Sequence, residues 1–307
     1  MAVSSAPVVV LAGGTGGAKL ARGMLDVAGP DALVVVANTG DDIEIYGAHV
    51  SPDPDLVSFW LADRIDERGW GLREDSFAVM DALRELGEEV WFNLGDGDLA
   101  WCLERARMLA EGLTPTMALA RLNAAIGVRA RVLPMSDDPV RTWVRTPAGW
   151  HPFQEFMIRE RAAGPIEGLE FRGAERASPS EQVLAAIANA RAIFIGPSNP
   201  LASIGPILAV PGLEAALGAA PAPIVAVSPV VGGEVLKGPT ASFMAFAGRQ
   251  CSAQGVAELY GELLDGMVAD EDVAGLPTLQ TETRMNDARA RARVAREALG
   301  FAAALGG

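Results

Sequence analysis

Glycines and carboxylates gather in a few short stretches of this chain, each with a spacing that suits a particular chemistry. Gly13-Gly14-Thr15-Gly16-Gly17-Ala18-Lys19 follows an apolar run. Glycines there let main-chain N–H groups approach an anion, and the start of a following helix adds positive potential. The stretch lacks the GK[ST] ending of a Walker A loop, and Lys19 stands where a dinucleotide fingerprint has its third glycine. A cation so early in a helix opposes the macrodipole, and an anionic ligand offsets it. The pattern points to phosphate binding but to no reaction, and a structural tight turn is the plainer alternative.

Acids follow. Asp41 and Asp42 come after a second apolar run, and Ser51-Pro52-Asp53-Pro54-Asp55 opens a helical stretch. Such aspartates can cap a helix. They can also hold Mg2+, which takes one or two carboxylates plus phosphate oxygens, or orient an attacking hydroxyl. Leu94-Gly95-Asp96-Gly97-Asp98 offers a further pair, with helix capping as the alternative. Gly196-Pro197-Ser198-Asn199-Pro200 is rigid and presents polar groups to a base or phosphate, while Lys237 can supply a cation to phosphate. Ser136-Asp137-Asp138-Pro139 reads as a turn. No Ser–His–Asp or Cys–His set is evident, so direct in-line displacement is simpler than a covalent intermediate. His49 is not counted as functional, and Cys102 reads as a buried helical residue.

The elements that must position these residues are short β-branched runs ending in unusual turns. They are Val8–Leu11, Leu33–Val36, Val90–Phe92, Ala192–Ile195 and Ile224–Val227. Continuous apolar runs suit strands covered on both faces. Helical spacing is expected over Ala18–Val27, Leu56–Ile65, Ser76–Leu86, Leu99–Leu109, Thr116–Ile126 and the C-terminal Glu282–Leu305. Alternation implies an α/β, Rossmann-like, doubly wound and mostly parallel sheet, whose strand C-termini share one rim where ligands bind. Arg141–Thr146 and Trp150–Phe156, joined by a turn, read as an antiparallel flap. A single domain over 1–307 is expected. Its core spans about 1–55 and 90–265, with helical and flap insertions at about 56–88 and 110–180.

A net charge of −14 argues against nucleic acid as a partner. No long apolar stretch or signal-like N-terminus is evident, so neither a membrane partner nor export is expected and the protein reads as cytoplasmic. Two cysteines, Cys102 and Cys251, do not make a disulfide framework. An acidic protein that handles phosphates must hold them with local devices: helix N-termini, a few basic residues or a divalent cation.

In combination, these motifs resemble the 2-phospho-L-lactate transferase family of deazaflavin cofactor (coenzyme F420) synthesis, including its phosphoenolpyruvate-transferring relatives. The resemblance rests on the glycine turn with Lys19, Asn38-Thr39-Gly40-Asp41-Asp42, Ser51 to Leu56 and Arg68-Gly69-Trp70-Gly71. It continues through Leu94-Gly95-Asp96, Leu133 to Pro139, Gly196 to Pro200, Ser203 to Ile207 and Ser228-Pro229. It implies a homodimer that requires Mg2+. The implied donor is a guanosine diphosphate-linked lactate, enolpyruvate or glycerate, and the acceptor is the deazaflavin alcohol Fo. The acceptor hydroxyl attacks the phosphorus that carries the acid, and GMP leaves.

On that resemblance Asp41, Asp42 and Asp55 are expected at the metal, and Asp41 and Asp55 in catalysis, with Asp55 taking the hydroxyl proton. Asp53, Asp55 and Asp96 are expected at the acceptor. Gly13 to Gly17, Lys19 and Lys237 are expected at the diphosphate, and Gly196, Pro197, Ser198, Asn199 and Ser203 near the guanine. The family tends to carry arginine where this chain has Gly97. The rival expectation is a regulatory nucleotide-sugar-binding protein of the gluconeogenesis-factor type, which shares a similar turn and fold. A nicotinamide-dependent oxidoreductase is disfavoured by Lys19 at the fingerprint position.

Overall fold

The computed structural model describes residues 6–235 and 238–307. Strand β1 (Val8–Ala12) leads through the glycine turn into helix α1 (Gly14–Ala28), and β2 (Leu33–Ala37) lies beside β1. A small hairpin, β3 (Ile43–Ile45) with β4 (Ala48–Val50), precedes four helices. These are α2 (Pro52–Leu61), α3 (Ala78–Glu85), α4 (Asp96–Ala110) and α5 (Pro115–Ala125). Strand β5 (Arg131–Pro134) then returns to the sheet. The flap is β6 (Arg141–Thr146), β7 (Gly149–Pro152), helix α6 (Phe153–Ile158) and β8 (Gly168–Arg172). After α7 (Glu181–Ala188) come β9 (Ala192–Ile195), a π-helical turn at Pro200–Ile204, α8 (Gly205–Leu208) and α9 (Leu213–Gly218). The rest is β10 (Ile224–Val227), the β11 (Val230–Val231) and β12 (Glu234–Val235) hairpin, α10 (Thr240–Phe246), α11 (Ala253–Tyr260), β13 (Gly266–Ala269), β14 (Thr278–Gln280) and α12 (Ala288–Leu305).

The main sheet has seven strands in the order β14-β13-β10-β9-β1-β2-β5, and every pairing in it is parallel. The doubly wound expectation therefore holds. Val8, Val10, Leu33 and Val35 face one core layer, and Val9, Leu11, Val34 and Val36 face the other. Both faces are covered, which is why these strands are continuously apolar rather than alternating. A smaller core under the flap joins Val144, Phe153 and Phe156 to Ala202 and Phe243.

Several elements differ from the sequence reading. Val90–Phe92 forms no strand: it is irregular, and the Phe92 N–H bonds to the Tyr46 hydroxyl at 3.3 Å instead of to a neighbouring strand. Two central-sheet strands at the far edge, β13 and β14, lie beyond residue 265, and β5 lies inside the stretch 110–180. The flap has a third strand, β8, paired antiparallel to β6. Among the described residues no helix is long and apolar enough to cross a membrane.

Candidate functional site

The glycine turn is shaped by a loop distant in sequence. Gly13 is extended and Gly14 has φ +61°, a conformation that glycine adopts without strain. A Cβ on Gly16 would run into the Pro197 carbonyl, and one on Gly13 would lie 2.6 Å from the Ser203 Cβ. Ser198 Oγ donates to the Gly13 carbonyl at 2.6 Å and accepts the Gly13 N–H at 3.4 Å. Asn199 Oδ1 accepts the N–H groups of Leu201 and Ala202, both at 3.0 Å, and so caps the π-helical turn. The loop after β9 thus wedges the loop after β1 in place, with the Ser198 hydroxyl and the Asn199 side-chain oxygen both used internally.

The carboxylates after β2 meet the glycine turn directly. Asp53 Oδ1 accepts the Gly14 N–H at 2.6 Å. Asn38, fully buried at the end of β2, donates its amide to Asp53 Oδ2 at 2.9 Å and to Asp41 Oδ1 at 3.1 Å. Its own oxygen accepts the Gly40 N–H at 2.7 Å, which fixes the amide's orientation. Asp41 and Asp53 are only 6% and 5% exposed. Burial, then the charge of Asp53, pushes the Asp41 carboxyl well above its usual range. Burial also pushes Asp53 up to about 6, against the hydrogen bonds from Asn38 and Gly14. Two buried carboxylates bridged by one neutral amide are an electrostatic liability unless a cation or a proton joins them. Hard oxygen donors with excess negative charge suit a hard divalent cation.

Asp42 and Asp55 face elsewhere. Asp42 pairs with His49 Nε2 at 3.2 Å and accepts the Ser51 hydroxyl at 2.7 Å. Burial disfavours a charged His49, but bonds to Asp42 and Glu44 outweigh this and raise its pKa to about 9. Asp55 accepts the Trp101 indole N–H at 2.8 Å and both terminal nitrogens of Arg105, Nη1 at 3.0 Å. Arg105 is 3% exposed, and its Nη1 also donates to the His49 carbonyl at 3.0 Å. Burial opposes its charge, but Asp55 more than compensates and raises its pKa. Beside this pair lie Asp98 and Cys102, whose donor atoms fall with those of Asp55 within 4.8 Å of one another. Burial, then the charges of Asp55 and Asp75, raises the Asp98 carboxyl to about 7. Burial first, then Asp55, raises the Cys102 thiol and keeps it neutral.

The remaining expected residues lie apart from this centre or take other partners. Asp96 accepts the N–H groups of Ala78 and Val79 at 3.0 and 2.9 Å and the Ser76 hydroxyl at 2.6 Å, so it secures the start of α3. Asp75 returns the favour at α4, accepting the N–H groups of Gly97 and Asp98 at 2.8 and 3.0 Å. A Cβ at position 97 would lie 3.3 Å from both Leu72 Cδ1 and Asp75 Oδ1, a crowded spot. Lys19 is the sixth residue of α1, and its Nζ lies 5.9 Å from the Trp60 ring centroid. Lys237 lies outside the described residues.

Sequence reasoning missed Asn38, Trp101 and Arg105 as site residues, and weighed Asp98 as a ligand only beside a capping role. The signal for Arg105 was present: it falls in the buried stripe of α4 with Trp101 and Met108, four residues before and three after it. A charge inside an apolar stripe needs a buried partner. His49, set aside in the sequence, carries the charge opposite Asp42.

Known proteins similar to this chain exist in both sequence and fold. A sequence model described as "2-phospho-L-lactate transferase CofD" matches residues 8–301. A 2-phospho-L-lactate transferase of Methanosarcina mazei is 39% identical, over 86% of this chain and 87% of that one. A phosphoenolpyruvate transferase of Kitasatospora aureofaciens is 41% identical, over 96% of this chain and 97% of that one. Among solved structures, a UPF0052-family protein of Bacillus halodurans shares the fold, with TM-score 0.64 and 18% identity over 95% of this chain and 98% of that one.

Proposed function

This chain belongs to the 2-phospho-L-lactate transferase CofD family, and on that premise we propose that it moves a phosphorylated three-carbon acid from a guanosine diphosphate-linked donor to the deazaflavin alcohol Fo. The observation that carries the reading is the chain of bonds Gly14–Asp53–Asn38–Asp41. It joins an anion-binding helix start to a pair of carboxylates at one point on the C-terminal rim of β1 and β2.

The work divides among the residues as follows. The amides at the start of α1 face an incoming diphosphate, where the helix dipole favours negative charge. Asp41 and Asp53 would hold Mg2+, which supplies positive charge to the diphosphate when bound. Asp42 and Asp55 are engaged with His49 and Arg105, so they act around that centre by fixing its walls. The acceptor's terminal hydroxyl oxygen bonds to the phosphorus carrying the acid, and the bond from that phosphorus to the bridging oxygen breaks. GMP leaves with the electron pair. The hydroxyl proton passes to a carboxylate oxygen of Asp98, which burial and the neighbouring Asp55 raise to about 7. The protein works in the cytoplasm as a homodimer, without nucleic-acid or membrane partners.

The test mixes purified protein, Mg2+, Fo and each of the three donors, linked to lactate, enolpyruvate or glycerate. GMP release with a matching mass increase on Fo supports the reading and identifies the acid. Nucleotide binding without any product supports the regulatory alternative.

A further inference from the structure

The loop after β2, which carries Asp41, is gripped from two sides. Asn38 holds the Asp41 carboxylate from within. From outside, the flap takes hold at Gly40. The Thr142 N–H donates to the Gly40 carbonyl at 2.7 Å. A Cβ on Gly40 would lie 2.5 Å from Thr142 Oγ1 and 3.0 Å from Pro206 Cβ, so β6 and α8 both close on this residue. One residue before Thr142 begins a file of charges that runs back to the reaction centre. Arg141 Nη2 donates to Glu44 Oε1 at 2.8 Å, and Glu44 Oε1 meets His49 Nδ1 at 3.1 Å. His49 Nε2 meets Asp42 Oδ2 at 3.2 Å, and Asp42 Oδ1 accepts the Ser51 hydroxyl at 2.7 Å. Ser51 is the N-cap position of α2, whose second residue is Asp53.

We propose that Arg141 is a positioning residue for the transfer: through Glu44, His49 and Asp42 it ties the flap to the loop of Asp41 and the helix start of Asp53, and so sets the spacing of those two carboxylates. The inference rests on the reading of Asp41 and Asp53 as the Mg2+ pair and adds what fixes their geometry.

Asp41 and Asp53 belong to different elements, so their separation depends on what joins those elements. Asn38 bridges the two carboxylates, and the Asp42–Ser51 bond joins the main chains beside them. The file of charges ends on that second joint. It crosses the β3–β4 hairpin at Glu44 and His49, which stand directly opposite each other in the ladder, so the hairpin presents each to the other. Asp42 follows Asp41 in sequence, so a shift of its carboxylate moves the neighbouring main chain. Magnesium tolerates little departure from octahedral geometry, so a small displacement of one carboxylate is felt as lost affinity. The outer end of the file does little for the fold itself. The Glu44 side chain is 66% exposed, and exposed ion pairs stabilise a fold only slightly. Geometry at the metal and stability of the fold therefore separate, which makes the role measurable.

The test titrates Mn2+, followed by its electron paramagnetic resonance signal, into the protein with GDP present. It compares the unmodified protein with Asp41→Asn, Arg141→Ala, Arg141→Lys, Glu44→Gln and the double variant Arg141→Ala/Glu44→Gln, with urea unfolding run on each. Arg141→Ala and Glu44→Gln should each weaken Mn2+ roughly tenfold, the lower end of what the outer partners of a metal ligand contribute, at an unchanged urea midpoint. Arg141→Lys should restore most of the affinity. The double variant should bind no more weakly than either single one, because both cut the same file. If Asp41→Asn weakens Mn2+ but Arg141→Ala and Glu44→Gln bind it as the unmodified protein does, the inference fails while the metal reading stands. A weakening that tracks a lower urea midpoint and is not restored by lysine makes Arg141 merely structural and also overturns the inference. If the unmodified protein binds no Mn2+, or Asp41→Asn binds it equally well, the metal reading fails and this inference with it.

Discussion

Replacing Arg105 with methionine removes the cation buried against Asp55 while keeping much of the side-chain volume. Two bonds to the carboxylate and one to the His49 carbonyl are lost together. Asp55 is then a 4%-exposed charge whose remaining strong partner is the Trp101 indole. Breaking a buried pair from one side typically costs about 3–5 kcal/mol, because the partner's charge is stranded rather than because the pair was strongly stabilising. The double variant Arg105→Met/Asp55→Asn removes the stranded charge and should recover about half of that loss or more. Urea unfolding followed by tryptophan fluorescence measures both, with Trp101 as a reporter inside the cluster. Arg105→Met alone should also depress transfer, because the N-terminus of α2 carries both Asp53 and Asp55. A loss below about 1 kcal/mol for Arg105→Met, or a double variant no more stable than the single, would refute this reading of the cluster.

Gly16→Ala would push a methyl group into the Pro197 carbonyl; it should cost about 1–3 kcal/mol and raise the KM for donor more than for acceptor in steady-state assays. His49 carries a linked stability term whose sign follows from its raised pKa of about 9. Its stabilisation is complete below about pH 6.5 and is lost as pH rises through about 9, by up to about 3 kcal/mol. The Glu44 carboxyl, held down to about 2 by the same contact, is the other side of that interaction and is not added to it. A series of unfolding curves from pH 6 to 10, with His49→Gln as the flat control, checks this. Asp98, raised to about 7, accepts a proton only when ionised, so kcat/KM should climb with pH through about 7. Asp98→Asn should remove that limb of the profile without shifting donor affinity.

How much of this could be read from the chain differs by region. The centre of the sheet was legible because β1, β2, β9 and β10 are buried on both faces and therefore continuously apolar. The edge strands were not. Strand β14 is three residues long and half-exposed, and β5 begins with the exposed Arg131, so neither has a distinctive period. Val90–Phe92 has strand-like residues but no neighbour to pair with, and residue type cannot reveal that. In the site, the glycine turn and the Asp41–Asp55 stretch were found from spacing, and the structure brings Asp41 and Asp53 to Gly14 through Asn38. What spacing could not give was orientation. Asp55 lies two residues from Asp53 on α2, and that rotation turns it to Arg105 while Asp53 faces the glycine turn. Asp96 looks like a ligand in sequence but serves a helix start formed some twenty residues earlier. Such pairings depend on tertiary contacts, which local patterns do not encode.

The most direct test is a crystal structure of the chain with GDP and Mg2+ bound. The diphosphate is expected against the amides at the start of α1, with the metal on oxygens of Asp41 and Asp53. A nucleotide bound away from that turn, or a metal with no ligand from either aspartate, would contradict the single-site reading.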